Sequence, residues 1–229
     1  MNALNNLTLA VPRGALFDET VALLAGLGAD TGELRSNDRK LLFEEIGVIT
    51  MRPSDVPTYV EAGAADLGIT GKDVLAEQLL AQQTGERGST GSLSGGGREV
   101  YELLDLGYGR CTMVLASIAG EPDPAMEALR RLGVMRVATK YPRTAARHFE
   151  ETGRQAEIVE VKGSVELAPL TGLVEAIVDL TATGTTLHEN NLQVREEIFE
   201  CTARLIANPV AHKLKAGAID DLLERMRAR

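Results

Sequence analysis

The chain has 229 residues, 44% of them hydrophobic and 25% charged, a balance that fits one large globular domain or two small lobes. A net charge of −9 argues against a broad nucleic-acid surface, so any anionic ligand must be met by a few placed Arg and Lys. The polar start Met1–Asn6 does not read as a signal peptide, and no apolar run reaches the length of a membrane span. Cys111 and Cys201 lack zinc spacing, so the expectation is a cytoplasmic protein with reduced thiols.

In chain order, Leu7–Val11 reads as a strand broken by Pro12-Arg13-Gly14. A helix follows with Asp18 and Glu19 in its first turn. Arg13 would stand at the carboxyl end of its strand, where ligands sit in open α/β sheets; a solvated turn arginine is the alternative. Asn37–Leu41 is polar and carries Arg39 and Lys40. Ile46–Met51 is a second strand, ending in Arg52-Pro53. Ser54 or Asp55 is placed to cap the next helix, with Pro57 in its first turn and Tyr59, Val60 and Ala64 on its buried side. Asp66–Leu75 gives a third strand, a Gly-bracketed turn and a helix start at Lys72-Asp73. Strand and helix thus alternate three times, the pattern of a parallel sheet with covering helices.

Residues 84–98 are Gly- and Ser-rich and nearly devoid of apolar side chains, which predicts a flexible insertion. Strands are expected at Thr112–Ala116, Met135–Thr139 and Ala156–Val161, with helices near 125–132, 144–152 and 165–170. Then comes Ala176–Leu187. A short apolar run leads to Asp179, and four threonines and a glycine fall within Thr181–Thr186 before a helix start. A strand opening through small hydroxyl residues onto a helix is a phosphate cradle; a Thr-rich turn after a core strand is the alternative. Glu196–Ala207 reads as one long strand. Asn208 caps a final helix over 209–226, with Ala211, Leu214, Ala218, Leu222 and Met226 near one face. The layout is α/β with two lobes, the second inserted in the first: residues 1–106 and 196–229 form one, 107–195 the other. A ligand cleft is expected between them.

Three stretches carry a resemblance: Asp55–Leu75, Leu104–Cys111, and Glu166–Leu187 with Glu166, Gly172, Asp179, Thr183-Gly184 and Thr186-Leu187 at fixed spacing. Through them the chain resembles the catalytic subunits of the ATP phosphoribosyltransferase family. The resemblance implies a periplasmic-binding-protein-like (type II) fold. It also implies attack by N1 of the adenine of ATP on C1 of phosphoribosyl pyrophosphate, releasing diphosphate, as the first step of histidine biosynthesis.

On that resemblance, Thr181, Ala182, Thr183, Gly184, Thr185 and Thr186 would hold the 5-phosphate, and Asp179 the ribose hydroxyls. Glu160, Lys162, Gly163 and Ser164 would line the same site. Arg13, Gly14, Arg39, Arg52, Asp73 and Tyr108 would form the ATP side, with Arg52 and Asp179 catalytic. Mg²⁺ would be carried mainly by substrate phosphates, without a dedicated protein site. Two departures from the family pattern are Val174, where a small residue is usual, and Ala15, where a second basic residue often follows the Arg13 turn. The length resembles the family's short form, which implies a homodimer assembling with a regulatory partner related to histidyl-tRNA synthetase. A nucleobase phosphoribosyltransferase and a non-catalytic binding module on the same scaffold remain rival readings.

Overall fold

The computed structural model of the chain describes residues 4, 6–83 and 100–228; the insertion expected at 84–98 lies outside them. In chain order the elements are β1 (Leu9–Pro12), α1 (Phe17–Gly26), α2 (Gly32–Ser36), β2 (Leu42–Phe43), β3 (Val48–Met51), α3 (Val56–Glu61), β4 (Leu67–Gly71), α4 (Lys72–Gln83) and β5 (Tyr101–Asp105). There follow β6 (Cys111–Ile118), α5 (Pro124–Leu132), β7 (Met135–Thr139), α6 (Pro142–Glu151), β8 (Ala156–Glu160), α7 (Leu167–Leu170), β9 (Ala176–Thr181) and α8 (Thr185–Glu189). The chain closes with β10 (Leu192–Cys201), β11 (Ala203–Ala207), α9 (Pro209–Leu214) and α10 (Ala216–Arg227).

The described residues cluster into two units. The first takes the chain up to Leu75, the stretch ending at Gly109, and Thr202 onward; the second takes Ala76 to the end of α4 and Arg110–Cys201. The second unit therefore interrupts the first in sequence.

The first unit is built on a six-stranded sheet of order β2-β3-β1-β4-β11-β5. β3, β1 and β4 are parallel, and the outer strands pair antiparallel. Side chains alternate across a strand, so the sheet presents two apolar faces. Leu9, Val11, Ile69 and Leu205 pack with Val21 and Leu24 of α1 and with Ile219, Leu222 and Met226 of α10. Ala10 and Ile206 pack on the other face with Val56 and Val60 of α3. Gly68 is required there, because a Cβ on it would lie 2.5 Å from Val56 and 2.7 Å from Val60.

The second unit has a five-stranded sheet of order β10-β6-β9-β7-β8, with β9, β7 and β8 parallel. Met135, Val137 and Val178 pack on one face with α5 and α6, around Ala125, Ala145 and Phe149. Ala138, Ile177, Val165, Ala168, Leu187 and the departing Val174 pack on the other, with α7 and α8.

Several local expectations are corrected. Glu196–Ala207 is not one strand: β10 pairs with β6 in one sheet and β11 with β4 and β5 in the other, with the break at Thr202. There the Thr202 hydroxyl donates to Asp105 at 2.8 Å, and its carbonyl accepts from Lys72. The final helix divides at Lys215, whose backbone (φ −118°, ψ 27°) leaves the helical region, and Leu214 at the end of α9 is 78% exposed. Tyr59 and Ala64 are exposed, because α3 is short and turns Val56, Pro57 and Val60 to the sheet. Neither Ser54 nor Asp55 caps α3; Ser54 instead donates to the Asp55 carboxylate. Asn208 does cap α9, accepting from Val210 and Ala211 N–H groups at 2.9 Å.

Candidate active site

In the second unit three parallel strands end side by side, and the residues singled out from the sequence gather at that edge. Register aligns Thr139 with Val178 on one side and with Glu160 on the other. The next residue along β9 is Asp179, and the next after β7 is Lys140. Their charged groups lie 3.7 Å apart, Lys140 Nζ to Asp179 Oδ2. β9 continues two residues beyond Asp179 to Thr181, so Asp179 sits inside the strand, 8% exposed. Burial pushes the Asp179 carboxyl above its ordinary value; the Leu180 N–H and Lys140 act against this, and the charge of Glu166 adds to it.

Beyond Thr181 the chain turns through Gly184, whose φ of +75° suits glycine, into α8. The loop is preshaped by its own side chains. The Thr181 hydroxyl accepts the Gly184 N–H at 3.0 Å, and the Thr183 and Thr185 hydroxyls share a 2.8 Å bond. Thr181 therefore closes the loop, while Ala182, Thr183, Thr185 and Thr186 are exposed along it. Lys162, Gly163 and Ser164 are exposed in the turn after β8, with no side-chain hydrogen bond or ion pair among the described residues. Glu160 behaves differently. Strand alternation puts it on the face of Ile158 and Thr139, opposite to Asp179, so the structure does not bring the two together.

The first unit repeats the geometry. The Arg13 N–H donates to the Met51 carbonyl at 2.7 Å, so Arg13 and Arg52 each stand one residue past paired strand ends. β4, on the other side of β1, ends at Gly71 and leads to Lys72 and Asp73. Asp73 is 8% exposed and folds back over Gly71, where a Cβ would lie 2.0 Å from its Oδ1. The Thr70 hydroxyl donates to the Pro53 carbonyl at 2.9 Å and fixes the turn that follows Arg52. Arg52 is exposed and makes no side-chain bond among the described residues, so its charge is available.

Arg13 is not available in that sense. Its guanidinium donates to Asp38 at 3.1 Å, to the Asn37 carbonyl at 3.4 Å and to the Lys40 carbonyl at 3.1 Å, and lies over the Phe17 ring. With Asn37, whose side chain accepts from the Arg39 and Lys40 N–H groups, it shapes the loop that presents an exposed Arg39. Gly14 takes φ +87° in the turn between β1 and α1. The Tyr108 hydroxyl shares a 2.7 Å bond with Thr20, which donates in turn to the Leu16 carbonyl if Tyr108 is the donor. Burial, opposed by the Thr20 bond and reinforced by Glu19, pushes the Tyr108 phenol up to about 12. Tyr108 thus holds α1 to the 107–109 turn.

Lys140 and Glu166 were missed from the candidate site residues. Lys140 follows an apolar strand just as Arg13 does, and that signal could have found it. No group of three or more His, Cys, Asp or Glu side chains is disposed to hold a metal ion among the described residues. None of their helices is long and apolar enough to cross a membrane.

Two α/β units, the second interrupting the first, with polar residues at the carboxyl ends of parallel strands in each, define a type II periplasmic-binding-protein-like fold. The aliphatic sulphonate binding protein SsuA of Escherichia coli shares it at a TM-score of 0.59 and 14% identity, over 96% of this chain and 70% of that one. Closer likeness is to the ATP phosphoribosyl transferase of a HisG:HisZ complex from Thermotoga maritima: TM-score 0.72, 33% identity and 97% of both chains. The family model for ATP phosphoribosyltransferase matches residues 52–228. The ATP phosphoribosyltransferase of Rubrobacter xylanophilus is 50% identical over 96% of this chain and 94% of its own, and that of Sorangium cellulosum is 42% identical over 97% and 95%. The chain belongs to the ATP phosphoribosyltransferase family, the pentosyltransferases that begin histidine biosynthesis.

Proposed function

We propose that the chain transfers the phosphoribosyl group of phosphoribosyl pyrophosphate to N1 of ATP, releasing diphosphate, with one substrate held at each unit's strand edge. The observation that carries the assignment is the β9–β7 edge, where Asp179, Lys140 and the Thr181–Thr186 loop stand together. The loop takes the 5-phosphate through its exposed threonine hydroxyls and backbone N–H groups. Asp179 accepts hydrogen bonds from ribose hydroxyls and faces the positive charge that develops at C1 as the leaving group departs. Lys140 and Lys162 supply cations beside it.

In the first unit, Arg39 and Arg52 are the exposed cations for ATP phosphates and for the departing diphosphate, as bidentate donors suited to such oxygens. Arg13 and Gly14 shape the turn and loop that present them, and Asp73 stands at the end of β4. Adenine N1 carries a lone pair at neutral pH, so the displacement needs no strong base, and the transfer inverts C1.

As the family resemblance implies, Mg²⁺ would be held mainly on substrate phosphates, with Asp179 a buried carboxylate at the same edge. When bound, the ion neutralises charge on the leaving diphosphate. The likeness to the HisG:HisZ complex from Thermotoga maritima supports a regulatory partner for this chain, and we infer, as the family resemblance implies, that it works as a homodimer with a subunit related to histidyl-tRNA synthetase.

A coupled assay for phosphoribosyl-ATP, with and without that partner, tests the proposal. Product from ATP but not from free adenine is expected. Diphosphate release with free adenine alone points to a nucleobase enzyme, and tight ligand binding without turnover in the presence of partner points to a binding module.

A further inference from the structure

α6 begins without a cap of its own. No side-chain hydrogen bond from its N-cap residue, Tyr141, meets the first-turn N–H groups. Glu77 on α4 supplies the acceptor. Its Oε1 accepts the Arg143 N–H at 2.9 Å, and its Oε2 accepts the Thr144 N–H at 2.8 Å and the Thr144 hydroxyl at 2.7 Å. The Arg143 guanidinium lies 3.5 Å from the same carboxylate. The Glu77 side chain is 14% exposed, and Thr144 is buried. A carboxylate at a helix N-terminus is also favoured by the helix dipole. One helix thus provides the cap of another.

The capped turn follows directly on the strand end that bears Lys140. The Thr139 hydroxyl accepts the Tyr141 N–H at 2.9 Å, and the Ala145 N–H returns to the Tyr141 carbonyl at 2.9 Å. Thr139 is fully buried. Lys140 is held between a fixed strand end and a fixed helix start. Its long side chain is 42% exposed and flexible, so the backbone position decides where its charge can reach.

We propose that Glu77 is a positioning residue for phosphoribosyl pyrophosphate binding: by capping α6 from α4 it fixes the Lys140 backbone, and with it the cation facing Asp179. This rests on assigning the Asp179 edge to that substrate. Glu77 itself touches no substrate.

Titration calorimetry with phosphoribosyl pyrophosphate, and separately with ATP, on wild type, Glu77→Ala, Glu77→Gln, Lys140→Ala and the Glu77→Ala/Lys140→Ala pair tests this. Glu77→Ala is expected to weaken phosphoribosyl pyrophosphate about fivefold, the effect of one lost cap, and to leave ATP affinity unchanged. Glu77→Gln, which keeps one acceptor oxygen, loses less. On the Lys140→Ala background, Glu77→Ala costs no further affinity. Amide exchange at Arg143 and Thr144 verifies that the cap has opened in a folded protein. With the cap open, unchanged affinity in Glu77→Ala, or the full fivefold loss on the Lys140→Ala background, overturns the inference alone. Absence of phosphoribosyl pyrophosphate binding by wild type overturns the edge assignment and the inference with it.

Discussion

Lys140, one residue past the end of β7, stands beside Asp179 within the adjacent parallel strand β9 with their charges 3.7 Å apart, and the carboxylate is the more deeply buried of the two. Burial raises its proton affinity above that of the unfolded chain. The folded state therefore holds this proton more tightly, and stability declines as pH rises through the Asp179 titration. At neutral pH the ionised group is a cost to stability, which the role proposed for it would explain. Asp179→Asn should cut turnover at least about a hundredfold while changing stability by no more than about 1 kcal/mol, and its melting temperature should fall less than wild type's between acidic and neutral pH. Thermal melts across that range, paired with the phosphoribosyl-ATP assay, check both halves. A strongly destabilised but active variant would falsify the assignment.

Gly71 has no room for a side chain, because the Asp73 carboxylate occupies the place of its Cβ. Gly71→Ala should displace Asp73 and the first turn of α4, costing about 1–3 kcal/mol of stability. The KM for ATP should rise while that for phosphoribosyl pyrophosphate holds. Steady-state kinetics with each substrate varied separates the two; an equal rise in both argues against a local effect.

Asn208 is the most fully bonded side chain at any helix start described here. It accepts from Val210 and Ala211, and donates to the Val60 and Glu61 carbonyls at 2.8 and 3.2 Å, with 3% of its surface exposed. One amide thus joins the end of α3 to the beginning of α9. Asn208→Ala loses the cap and strands buried partners, for about 2–4 kcal/mol. Chemical denaturation should show the loss, with kcat per folded molecule preserved.

Tyr108→Phe removes the hydroxyl bonded to Thr20 and should cost about 1 kcal/mol. With its phenol pushed up to about 12, Tyr108 should stay protonated beyond the ordinary range of tyrosine ionisation, which alkaline absorbance titration of wild type against variant resolves. Unchanged ATP KM in Tyr108→Phe confirms that the ring serves the fold. A large rise would instead support the place expected for the tyrosine on the ATP side.

The strand-end positions of Arg13 and Arg52 were legible because each follows a short apolar run that must be a buried strand; Asp179 was expected at the end of its strand and instead lies inside it, because β9 runs on to Thr181 in register with β6. Strand order was not legible. Nothing local says that β7 lies between β9 and β8, so although Lys140 follows an apolar strand, only the register pairs it with Asp179. The face that Glu160 takes was not legible for the same reason, since it depends on register and not on nearness in sequence. The continuous alternating pattern of 196–207 hid the change of sheet at Thr202, because alternation reports burial and is blind to which partner strand provides it. The engagement of Arg13 by the 37–40 loop depends on atoms 24 to 27 positions away, beyond the reach of any local pattern.

The place of β11 bears on how the chain is made. It lies between β4 and β5 in the first unit's sheet, and α10 covers that sheet's face. The amino-terminal strands therefore emerge from the ribosome with a gap in their sheet that only the last part of the chain fills. The second unit's strands, all drawn from Cys111–Cys201, are complete before then. The first sheet thus joins the two ends of the message, whereas the second is written in one continuous middle passage.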